Sequence, residues 1–277
     1  MKTRKWIIWL IVLGVIAVIW GGVYVYALSH LPVSYGEKTA LTEEQADDEA
    51  YLAAWRECAQ MTAACRDSWN GKWPDYYGGM GVVENEGAYL VNVYLTENTE
   101  TNRKAVCDAA GAQLRAFTAT DTSWAELEET LDRVDTAKSL PFITVQGMGI
   151  DVERHTVRVY LSHRSMASTL VFGLLKGPVE AVIIPVQPTV RTATREEDGS
   201  VTLSLAGLTY ATAYDVEIST DAAFEENVDT ISFEGNDSEV TLPNPGEGEA
   251  WYVRAKSYLT VEDTTYQSEW SSAKTVK

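Results

Sequence analysis

From Trp6 to Ala27 the chain carries no charged side chain, and no other segment restricts its possible folds so strongly. About 20 apolar residues, rising about 1.5 Å each, cross the hydrocarbon core of a bilayer. Lys2, Arg4 and Lys5 precede the run, and no Asp, Glu, Lys or Arg follows before Glu37. That asymmetry predicts a single transmembrane helix over residues 6–27, with residues 1–5 cytoplasmic and the C-terminus outside the cytoplasm. Trp6, Trp9, Trp20, Tyr24 and Tyr26 lie toward the ends of the run, where aromatic rings favour the membrane interface. A cleaved signal peptide ending at Val25-Tyr26-Ala27 is the competing reading, although the run exceeds the usual apolar stretch of about 7 to 15 residues. Residues 28–41 read as a stalk.

Charge and motifs narrow the chemistry of the body that follows. With 40 acids against 22 bases, the net charge of -18 repels phosphate backbones and excludes a nucleic-acid partner. The acids are scattered and lack the Asp-x-Asp-x-Asp-Gly order of a calcium loop. Neither Gly-x-Gly-x-x-Gly nor Gly-x-x-x-x-Gly-Lys occurs, and Gly78-Gly79-Met80-Gly81 leads into a strand pattern, not a helix N-terminus. His30, His155 and His163 are the three histidines, and no Gly-x-Ser-x-Gly or comparable nucleophile motif accompanies them. They read as exposed loop residues. No catalytic, cofactor-binding or metal-ligating residue is assigned, and the expectation is a binding protein without cofactor or turnover.

Three cysteines admit more than one disposition. Cys58 and Cys65 fall on one predicted helix about 10 Å apart. A disulfide needs its Cα atoms within about 7 Å, so those two cannot pair with each other. Either can reach Cys107 on another helix, with Cys65–Cys107 the candidate bridge; the plainer reading is three small buried apolar side chains.

Periodicity organises residues 42–187 as an α+β domain, an antiparallel sheet with helices on one face. Thr42-Glu43-Glu44-Gln45 reads as a capping box, and Tyr51, Trp55, Cys58, Thr62, Cys65 and Trp69 then recur at helical spacing. A hairpin is expected through Asn85-Glu86-Gly87, further helices from Thr101 and after Ser123, and a second hairpin around Glu153-Arg154. Trp69, Trp73, Tyr76 and Tyr77 form the tightest aromatic cluster, a candidate binding surface whose bland alternative is a turn packed on the core.

Trp73-Pro74-Asp75-Tyr76-Tyr77-Gly78-Gly79, a hairpin, then Gly147-Met148-Gly149-Ile150-Asp151 before Thr156 to Leu161, resembles the pro-region of α-lytic-type secreted serine proteases. The resemblance spans residues 49 to 187. It implies the α+β fold and, as an alternative function, an inhibitor or folding helper acting in trans on a secreted serine protease.

Residues 188–277 change character to short alternating strands separated by turns, the pattern of an all-β sandwich. Leu208-Thr209 before Tyr214 to Thr220, and Leu242 before Trp251-Tyr252-Val253-Arg254-Ala255, resemble a fibronectin type III domain, with Trp251 where that family places a corner tyrosine. The combined expectation is a membrane-anchored surface protein of the cell envelope that presents two protein-interaction modules to an extracytoplasmic protein partner.

Overall fold

The computed structural model describes residues 19–37, 45, 48–246 and 250–277. The chain divides into two compact units, one formed by Met1–Val33, Thr39–Val159 and Ser165–Ala181, the other by Ser34–Lys38, Tyr160–Arg164 and Val182–Lys277.

The expected transmembrane helix is corrected. Residues 19–30 are helical, while residues 6–18 lie outside the described residues. Among the described residues no helix is long and apolar enough to cross a membrane. Ala27, at the end of the uncharged run, is fully buried. A Cβ at Gly173 would stand only 2.4 Å from its carbonyl oxygen, so protein, not lipid, encloses it. Part of the expected stalk is sheet, because Val33–Tyr35 is strand β1 and Ala181 N–H donates to the Pro32 carbonyl at 2.9 Å.

Helix α1 is Glu49–Ser68, and its cap is Asp48, whose carboxylate accepts from the Ala50 and Tyr51 amides at 2.8 and 3.1 Å. The capping box expected at Thr42–Gln45 falls largely outside the described residues. The helix stops where Asn70 and Gly71 turn left-handed, φ 53° and 73°, and Gly71 N–H closes on the Arg66 carbonyl. Strands β2 (Tyr77–Asn85) and β3 (Ala88–Leu95) form a hairpin. Glu86 and Gly87 both take positive φ, the two-residue turn that matches strand twist. Helix α2 (Glu100–Ala110) starts on Thr99 and ends at Gly111, and β4 (Ala116–Ala119) then lies parallel to β3. Helix α3 (Trp124–Ala137) starts on Ser123, which accepts from Glu126 N–H.

A second hairpin, β5 (Val145–Asp151) and β6 (Thr156–Leu161), is followed by α4 (Met166–Gly173) and β7 (Val179–Ile183). Two sheets result, β2-β3-β4 and β1-β7-β6-β5, instead of the one antiparallel sheet expected. A helix between strands returns the chain to the end it left, so the strand after it pairs in parallel. Hairpin, helix, parallel strand thus occurs twice. The duplication is audible in the sequence: Gly79-Met80-Gly81 leads to Val91-Asn92-Val93-Tyr94-Leu95, and Gly147-Met148-Gly149 to Val157-Arg158-Val159-Tyr160-Leu161.

The remaining strands are β8 (Thr189–Arg195), β9 (Val201–Ala206), β10 (Ala213–Ser219), β11 (Val228–Glu234), β12 (Glu239–Leu242), β13 (Tyr252–Val261), β14 (Thr264–Gln267) and β15 (Lys274–Thr275). They make the expected sandwich, with sheet β12-β9-β8 against sheet β11-β10-β13-β14, to which β15 adds on β13. Alternation sends Leu203, Leu205, Tyr214, Val216, Ile218, Val253 and Ala255 into its core.

Gly79 in the first hairpin combines a left-handed backbone with close packing. Its φ is +118°, and a Cβ would stand 2.9 Å from the Trp124 ring and 3.0 Å from Val152 Cγ1. Gly79→Ala is expected to lower stability by about 2 kcal/mol or more, read from the urea midpoint.

Candidate functional site

The aromatic cluster singled out in the sequence is brought together against the core, with Tyr77 buried and the other rings partly so. Trp69, Trp73 and Tyr77 lie with ring centroids 5.1 to 5.9 Å apart, and Trp124 joins at 5.9 Å from Trp73. Tyr77 is fully buried, and Trp69, Trp73 and Tyr76 pack against the same core as Val93, Leu95 and Cys65. The rings hold the turn after α1 onto β2. Burial pushes the Tyr77 phenol far above its ordinary range.

All three cysteines are free thiols, Cys58 and Cys65 buried and Cys107 partly so. Burial, with the nearby Cys107 thiol second, pushes Cys65 up to about 11, so its nucleophilic thiolate is scarce at neutral pH. Among the described residues no group of three or more His, Cys, Asp or Glu could hold a metal ion.

His155 and His163 occupy the expected turns but are half-buried, His30 is exposed at the end of a helix, and each meets an aromatic ring. His30 stacks on Tyr26 at 3.8 Å, His155 meets Tyr94 edge-on at 4.5 Å, and His163 stacks on Tyr210 at 4.1 Å. His155 occupies the β5–β6 turn with φ 52°, and its Nε2 is buried with no hydrogen-bond partner among the described residues. Burial lowers its pKa, against smaller opposing effects of Glu153 and Asp151.

The sandwich supplies an ordered surface that sequence reasoning missed. Along β13, Val253, Ala255 and Ser257 point inward, so Arg254, Lys256 and Tyr258 share the outer face. Beyond β14, Ser268 and Ser271 continue along β13. Their hydroxyls accept from the Ser257 and Ala255 amides at 3.0 Å, and their own amides donate to the carbonyls of the same two residues. This doubled bonding carries Trp270 over the outer face. The Arg254 guanidinium lies 4.7 Å from the Trp270 ring and 4.3 Å from Phe224. Lys256 Nζ lies 4.7 Å from Trp270 and 5.4 Å from Tyr258. The result is a ladder of alternating rings and cations, Phe224, Arg254, Trp270, Lys256, Tyr258.

Acids on β10 complete it. Glu217 is the cross-strand partner of Arg254 and accepts from its Nε at 2.6 Å, and Asp215 lies opposite Lys256. Tyr258 O–H donates to Asp215 at 2.6 Å; burial first, then that bond and the surrounding acids, push its phenol up. A cavity of about 330 Å³ opens beside it, lined by Ala213, Asp215, Ser232, Phe233, Glu234 and Tyr258. The alternation of Arg254, Lys256 and Tyr258, followed by Ser268-Glu269-Trp270-Ser271, was the available sequence signal.

No family model matches the chain, and no curated protein matches it. Solved structures similar to it include a myokine at 16% identity, covering 34% of this chain and 96% of that one with a TM-score of 0.27. Another is a Fn3-like protein from Clostridium thermocellum at 17%, covering 34% and 92% with a TM-score of 0.26. Domains A168-A170 of titin match at 18%, covering 36% and 35% with a TM-score of 0.23. The strand order itself, three strands against five, carries the fibronectin type III-like sandwich; none of these matches bears on the resemblance to a protease pro-region.

His155 makes stability depend on pH. Its folded pKa lies below the ordinary 6.5, so above that value both states are neutral there. As pH falls through 6.5 the unfolded chain takes up a proton that the folded chain resists, and stability declines. Urea midpoints at pH 7.5 and 5.5 are expected to differ less in His155→Asn, which tolerates the left-handed backbone, than in the natural chain.

Proposed function

We propose that this chain is a two-module binding protein that docks a protein partner through the outer face of the five-stranded sheet in its sandwich. The ring–cation ladder carries the reading. Centres of protein interfaces are rich in Trp, Tyr and Arg, which offer broad contact area at low conformational cost. Here Arg254 and Lys256 are already held by rings on both sides, and Glu217 partners Arg254. A partner would therefore meet a surface ordered before binding, which lessens the entropy lost on association. The cavity bordered by Phe233 and Tyr258 lies next to the ladder and would receive a projecting side chain of the partner. The activity proposed is recognition without turnover, with the α+β unit as the second module.

A photo-crosslinking residue at Thr230, on the outer face of this sheet, is expected to capture a discrete partner in intact cells. The same residue at Thr241, on the opposite sheet, is expected not to. Trp270→Ala should weaken the isolated complex by at least about tenfold, with a thermal midpoint close to that of the natural chain. Equal capture from both positions, or undiminished affinity in Trp270→Ala, overturns the reading.

A further inference from the structure

The α+β unit holds a cleft that the ladder does not involve. It has a volume of about 540 Å³ and is walled chiefly by Tyr51, Val82, Glu84, Tyr89, Tyr94 and Glu153. Three elements converge to make it. Tyr51 stands in the first turn of α1, Val82 and Glu84 lie on β2, the edge strand of its sheet, and Glu153 is on the β5–β6 turn. Glu84 is the cross-strand partner of Tyr89, which fixes a carboxylate beside a ring. Tyr51 and Tyr89 meet at 5.2 Å and 83°, so their faces form two walls of a corner.

The electrostatics of the cleft have one sign. Among the described residues no Lys, Arg or His lines it. The guanidinium groups of Arg154 and Arg158 on the adjoining hairpin are engaged elsewhere, each with Asp151 and Glu180. Among the described residues neither Glu84 nor Glu153 has an ion-pair partner. The positive end of α1 is already met by the Asp48 carboxylate. Burial lowers the pKa of the neighbouring His155 imidazole, which favours its neutral form. Glu153 adds to the burial that raises the phenols of Tyr51 and Tyr94, consistent with an uncompensated negative field between those rings.

Electron-rich ring faces together with unpaired carboxylates are the chemistry that attracts an organic cation. We infer that this cleft binds an alkylammonium group, the head of a free quaternary or primary amine or of a lysine side chain on another protein. A metal ion lacks enough oxygen ligands here, and an anion is repelled. The volume suits a ligand of several carbons in addition to its charged head.

Titration of the full chain by calorimetry tests the inference with choline, its uncharged carbon isostere 3,3-dimethylbutanol, and N-acetyl-lysine methylamide. Choline or the lysine amide is expected to saturate at least about tenfold more tightly than the isostere, and to weaken with added salt. Preference for choline would assign a free amine, and preference for the lysine amide a side chain of a partner. The Glu84→Gln/Glu153→Gln double variant, altered only at exposed carboxylates, should lose about tenfold in affinity while its urea midpoint stays unchanged. Tyr51→Leu should lose several-fold. Equal binding of choline and its isostere, absence of saturation by either cation, or full affinity in the double variant overturns the inference. None of these outcomes depends on the sandwich face, so the two readings fail separately.

Discussion

The two-residue period of the β-strand is the constraint on which both surfaces depend. A strand paired on both sides and covered on one face must place every second side chain in the core, leaving the others to a common outer row. In β13 that rule buries Val253, Ala255 and Ser257 and presents Arg254, Lys256 and Tyr258 together. A slip of one residue would exchange the rows, burying two cations and exposing the apolar set. The core therefore fixes the ladder's register. Its long cationic side chains cover ring surface with their stems and keep their charges among Glu217, Asp215 and the rings.

The α+β unit meets the same constraint through a different connection. Each hairpin is followed by a helix, and the helix makes the next strand parallel, so neither sheet is the simple antiparallel layer that hairpins alone imply. This leaves β2 at an edge, where Val82 and Glu84 border open space instead of a further strand. Close backbone approach makes the arrangement possible. Gly78 and Gly79 pass beneath Thr120 and Trp124, where any side chain would collide, and Gly173 receives the backbone of Ala27. That last contact encloses Ala27, the final residue of the uncharged N-terminal run.

Local signals were legible where one face of an element decides its sequence. Thr156–Leu161, Ala213–Ser219 and Glu239–Leu242 alternate cleanly and form strands with those bounds. Ser123 starts one helix and Gly111 ends another, as their chemistry dictates. Strand β8 was not legible, because a register shift between Val190 and Thr192 breaks its alternation. The Trp69–Tyr77 rings are neighbours in sequence and so were easily grouped, but grouping does not reveal whether rings face solvent or each other.

The order of amino acids alone determined the element types where alternation or caps are clean, and with them most inward rows of the sandwich, because solvation of each side chain acts locally and repeats with the period of the backbone. Tertiary structure alone decided where Phe224 and Trp270 would meet Arg254, and how Tyr51, Glu84 and Glu153 would come to share one cleft. Those meetings join segments distant along the chain, and their geometry is set by pairing register and close packing, neither of which is written in any one segment.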